Sequence, residues 1–173
     1  MRRALIGVAV LLTITGGIPG RTCAQTVGED AEMERLRVKA EEAIANDDPD
    51  GAAMSIGKAA LMASELAKRE ISAVKGRLYR SAEALFRAQE DGYRALALFR
   101  RAGGQAPAST GVCSTLRLAQ SHLQHAIKLL DEDRSSGETA SDAATGGRLK
   151  QLREMAEDWN TVIASMHTDF QCT

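Results

Sequence analysis

Residues 149–172 read LKQLREMAEDWNTVIASMHTDFQC. Leu149, Leu152, Met155, Ala156, Trp159, Val162, Ile163, Met166 and Phe170 recur three and four residues apart, the period of one face of an α-helix. Upstream, Leu116, Ala119, Leu123, Ala126, Ile127 and Leu130 make a second stripe of the same kind. The stretch between them, SSGETASDAATGG over 135–147, is polar and low in complexity and reads as a flexible loop. From Cys113 to Arg134, and again from Arg148 to Cys172, the two helices span about 32 and about 36 Å at ~1.5 Å per residue. Folded back on each other, rods of such matched length return Cys172 to the level of Cys113. A disulfide needs Cα atoms within about 7 Å, and this hairpin meets that precondition. The spacing therefore predicts a Cys113–Cys172 staple, worth roughly 4 kcal/mol in the chain-entropy model. Two buried free thiols are the alternative.

The rest of the chain points to the same class. Of 173 residues, 44% are hydrophobic but only 3% aromatic, and Ala recurs in runs. With few β-branched and aromatic side chains and no alternating run, the expected fold is all-α, built from antiparallel helical hairpins. The 22 basic and 23 acidic residues exclude a generally polycationic nucleic-acid binder.

Residues 1–24 read as a secretory signal peptide: Arg2 and Arg3, an apolar stretch Ala4–Ile14, helix breakers Gly16, Gly17, Pro19 and Gly20, then Thr22-Cys23-Ala24 as a small-x-small cleavage site. An uncleaved anchor is the alternative. Cleavage leaves two of the three cysteines, an even pair suited to an oxidising, periplasmic or extracellular compartment, and no membrane span. The mature chain holds 19 basic and 23 acidic residues.

Residues 25–107 are expected to form helical hairpins and residues 112–173 the stapled C-terminal hairpin. The first helix is read over Ala31–Asn46, ended by Pro49, with Asp50 capping the next. Ala52 to about Arg101 is too long for one unbroken helix, and Gly76 and Gly92 are the expected break points. Gly103–Gly111 is a linker.

Within residues 79–107, Tyr79, Ala82, Glu83 and Phe86 are followed by Ala95, Phe99, Ala102 and Pro107. That spacing resembles the tetratricopeptide repeat. Leu36, Lys39, Ala40, Ala43, Ala52, Ile56 and Ala59 trace the grid more faintly. The resemblance implies two helical hairpins over 33–107, capped by the stapled pair. Glu83 and Ser64 depart from the family pattern, and the units begin 43 residues apart, which requires an insertion near Lys68–Lys75. The run from Val162 to Thr173 is similar to the third-helix end of pectin methylesterase/invertase inhibitors. That resemblance implies a secreted bundle that inhibits a cell-wall enzyme, although the fourth helix and the N-terminal cysteine pair of that family are absent. Lys68-Arg69-Glu70 and the Leu85–Gln89 stretch resemble, more distantly, the helices of secreted chorismate mutases; Ala97 stands where that family has an acid.

No phosphate loop, nucleophile elbow, HExxH helix or CxxC occurs, and neither a catalytic residue nor a cofactor is assigned. His122 and His167, with Asp169, form a remote candidate for a metal pair; simple hydration is the alternative. Charge is segregated. Residues 29–50 carry nine acids against three bases, and residues 68–101 nine bases against four acids. Complementary helix faces within the molecule explain this. A basic groove for an acidic partner explains it too. Its candidate residues are Arg77, Arg80, Arg87 and Arg94, with Tyr79 and Tyr93 as lining; core packing of these aromatics is the alternative. The expected function is a secreted, non-enzymatic protein-interaction or assembly module, with the inhibitor and the enzyme as alternatives.

Overall fold

The computed structural model describes residues 23–135 and 143–172. The signal-peptide reading falls almost wholly outside these residues, as does the middle of the 135–147 loop. The described chain is all-α: α1 (Cys23–Ala45), α2 (Pro49–Arg69), α3 (Ala73–Arg101), α4 (Thr110–Ser135) and α5 (Ala143–Asp169).

Local chemistry sets the turns, though not always at the expected residue. Asp48, rather than Asp50, caps α2, its carboxylate accepting from the Gly51 amide at 2.8 Å. Pro49 opens α2 as its first residue, where its missing N–H costs nothing. Asp47 takes φ 63°, a conformation Asp tolerates better than most residues. The second break falls at Glu70–Ser72 and not at Gly76 or Gly92. Glu70 turns extended, its carboxylate accepts from the Ser72 amide at 2.9 Å, and Ser72 caps α3. Both glycines lie inside α3, and Gly92 is there for a packing reason. A Cβ at Gly92 would stand 2.7 Å from the Trp159 ring of α5.

Three further boundaries differ from the sequence reading. α1 begins at Cys23, ahead of Ala31. α5 begins at Ala143, so residues 143–147 are helical and not loop, with Thr145 buried against the core. Finally, α3 is continuous across residues 79–101. Both halves of the second repeat-like unit therefore lie along one helix, and the turn that a repeat hairpin needs between Phe86 and Ala95 is not formed.

α3 is the central helix. It packs along α2 on one side and α4 on the other, and these two pairs are the most extensive contacts of the fold. α1 lies on α2, and α5 on α4 and α3. Both cover the same side of α3. Met33 and Arg37 of α1 meet Tyr79 and Phe86 of α3 and Leu152 and Met155 of α5 around a cavity of about 30 Å³. The core is made largely of small side chains: Ala52, Ala59, Ala60 and Ala63 on α2, Ala88 and Ala95 on α3, Ala119 and Ala126 on α4 are all fully buried. Short side chains let helix backbones approach closely, so leucines such as Leu85, Leu116 and Leu123 fill the remaining space.

The Cys113–Cys172 disulfide is present, with Cα atoms 5.4 Å apart. It joins the start of α4 to the chain just beyond α5, while Arg153, near the start of α5, donates to the Leu130 carbonyl near the end of α4. Next to the staple, Phe99 stacks on Phe170 at 4.1 Å and the Ala108 amide donates to the Phe170 carbonyl at 2.8 Å. The linker and both ends of the C-terminal pair are thus tied to the end of α3.

Candidate functional site

The side of α3 that faces away from α1 and α5 carries the charged residues. Seven residues advance a helix by nearly two full turns, so Arg80, Arg87 and Arg94 fall in one row. With Glu83, Glu90 and Asp91 they form one wall of a groove of about 490 Å³, and Leu118, His122 and His125 of α4 form the other. A second groove, of about 510 Å³, runs on the α2 side of the same ridge, where Met54, Lys58 and Leu61 face Arg87, Glu90 and Arg94.

Glu90 and Asp91 organise this ridge. Each is only 5% exposed. The Glu90 carboxylate accepts from Arg87 at 2.8 Å and pairs with Arg94 at 2.5 Å, one turn before and one turn after it. Gly57 of α2 makes room for it, because a Cβ there would stand 2.7 Å from its Oε1. Asp91 lies 2.9 Å from the Nδ1 of His122, and Arg94 approaches its other oxygen at 3.8 Å. Burial pushes the Asp91 carboxyl above its ordinary range, although the bond to His122 and the nearby Arg94 oppose that rise. The outcome is a floor of covered carboxylates under a rim of guanidinium groups. Arg94 is 56% exposed against 6% for Glu90.

The sequence-predicted residues divide sharply. Arg80, Arg87 and Arg94 come together. Arg77 is half-buried and lines neither groove. Tyr79 and Tyr93 lie on another side of the helix, Tyr79 buried in the core and Tyr93 partly buried against it. The Tyr79 hydroxyl donates to Asp30 of α1 at 3.2 Å, and Asp30 also pairs with Arg148 of α5 at 2.9 Å. Tyr93 meets Trp159 edge to face at 5.1 Å. Burial pushes both phenols up to about 12, with Asp30 adding to it at Tyr79 and Glu41 at Tyr93. The aromatics are therefore core side chains and not groove lining.

His122 turns to Asp91 rather than joining His167 and Asp169. No three His, Cys, Asp or Glu side chains are grouped to hold a metal among the described residues. Three of the segregated bases meet segregated acids within the molecule: Arg69 pairs with Glu29, Arg100 with Asp47 and Arg101 with Asp50. The ridge itself is nearly balanced, three arginines against Glu83, Glu90 and Asp91. What it offers is exposed donors over two covered acids, Glu90 and Asp91, with the half-buried Glu83 beside them, and not a large excess of positive charge.

Glu90 and Asp91 escaped the sequence reading. The Arg87–Glu90–Arg94 spacing was legible as a helical ion-pair pattern; the Asp91–His122 bond links residues 31 apart on different helices and left no local signal. No protein-family model, curated protein or solved structure matches this chain.

Proposed function

We propose that this chain is an exported, non-enzymatic interaction module that holds an acidic protein partner along its α2–α3–α4 face. One observation carries the reading: the buried Glu90 carboxylate fixes Arg87 and Arg94 in place, while their side chains stay 31% and 56% exposed. A guanidinium has five donors and no acceptor, so two anchored arginines still have donors to offer. Holding them before binding reduces the ordering cost that free arginine side chains incur on association. Met54 at 61%, Leu61 at 56% and Leu118 at 48% exposure surround the ridge. Arg and Met are enriched at protein interfaces, and apolar side chains supply the area that a charged rim lacks. A disulfide suits an oxidising compartment, which supports export.

Crosslinking capture from the extracytoplasmic fraction of the source cells tests the reading. A partner captured by the native chain should be lost with Arg80→Glu or Arg94→Glu and retained with Lys150→Glu on α5. Its capture should also weaken as salt rises. Equal capture by all three variants would place the interaction elsewhere on the molecule.

A further inference from the structure

We infer that the occupant of this face is an acidic amphipathic α-helix of the partner, laid along α3 with carboxylates at seven-residue intervals over Arg80, Arg87 and Arg94. This rests on the interaction-module reading above and narrows it to one kind of ligand.

Three features of the ridge select that ligand. First, the arginines are spread and not convergent. Each seven-residue step rises about 10.5 Å, so the row runs about 21 Å. The one point where two of them meet, between Arg87 and Arg94, is already filled by the Glu90 carboxylate. A compact anion finds no open focus there, whereas a linear ligand touches the outer edge of each guanidinium in turn.

Second, the arginine row is flanked by apolar positions of the same period. Leu98, 36% exposed, closes the adjoining row of α3, in which Ala84 and Asp91 are buried. Leu118 stands across the α4 groove. On the α2 side Met54 and Leu61 are again seven residues apart and exposed. Apolar rows beside a row of like charges at heptad spacing match the seam and flanking positions of a helix-on-helix contact.

Third, other linear anions lack what they need here. An extended peptide gains affinity from an open sheet edge, and the described residues contain no strand. A saccharide chain stacks on Trp, Tyr or Phe rings, and none of these lines either groove. About 15 to 18 helical residues suffice to cover the row at ~1.5 Å each.

The test uses three probes against the full chain: a synthetic helical peptide of about 18 residues with Glu at seven-residue intervals and Leu in the adjoining row, the same residues in scrambled order, and heparin. Fluorescence anisotropy should show the patterned peptide binding at least roughly tenfold tighter than the scrambled one, about 1.4 kcal/mol. Circular dichroism should show it gaining helix on binding. Arg80→Gln and Leu118→Ala, both at exposed positions, should each weaken it severalfold, and Lys150→Gln should not. The inference is overturned if the two peptides bind alike or not at all, if only heparin binds, or if the chain merely associates with a second copy of itself. Should the peptide fail while Arg80-dependent capture of a native partner persists, the module reading stands and the helical occupant alone is wrong.

Discussion

The α1–α2–α3 part and the α4–α5 pair are held together by different means. In the first, short capped turns join long helices that touch through alanine, so α2 and α3 share an extensive, closely spaced interface. In the second, α4 and α5 meet each other far less extensively, and their connection is longer. Each leans on α3, and the Cys113–Cys172 bond secures their far ends. Close packing of small side chains stabilises without a covalent link when the connection is short. The crosslink instead closes a loop across a separation of 59 residues, whose freedom it removes from the unfolded chain.

The largest expected effect breaks that contrast directly. Replacing both cysteines (Cys113→Ser with Cys172→Ser) should lower unfolding free energy by roughly 4 kcal/mol. The loss should appear first as increased amide exchange in α5, with α2 and the middle of α3 protected until global unfolding. Uniform loss of protection would show that the two parts are one cooperative unit.

The two tyrosines come next, since they tie α3 to α1 and to α5. A phenol raised in the folded state keeps its proton while the unfolded chain loses it. Stability therefore holds below about pH 10 and falls as pH rises from there to about 12. Both rings contribute to that fall. These are the only tyrosines in the chain, so phenolate absorbance should stay flat through pH 10 in the native protein and titrate there after denaturation. A native midpoint near 10 would show the rings exposed.

The smallest effect probes where the two parts join. Gly92→Ala sets a Cβ against the Trp159 ring. Overpacking costs about 1 to 3 kcal/mol, and the better helix former returns up to about 1 kcal/mol. A net loss of roughly 1 to 2 kcal/mol in urea titrations is expected, with a shifted emission from Trp159, the single tryptophan. Unchanged emission would mean that the ring is not seated on Gly92.

Much of the fold was legible before any coordinates. The apolar stripes of α4 and α5 carry a period of three and four, and two rods of equal reach bring the cysteines level. Turn chemistry was half legible: Asp48-Pro49 announces a helix start, yet whether Asp48 or Asp50 caps depends on which residue the chain leaves extended. Gly76 and Gly92 misled because glycine marks either a break or a close approach, and sequence alone does not tell these apart. For the aromatic residues the spacing left core packing and groove lining both open. Tyr79 and Tyr93 share a helix with the arginines, but the two sets are turned to different faces once α1 and α5 choose a side.

Helical character, the arginine spacing and the cysteine match are local or one-dimensional properties, carried by hydrogen-bond periodicity and rod length along the chain. Which side of α3 becomes core, that Glu90 is sealed beneath two arginines by Gly57, and that Asp91 finds His122 on another helix follow only from the packing of five helices. Those choices depend on shape and desolvation summed over residues far apart in sequence, and no short window of the chain contains them.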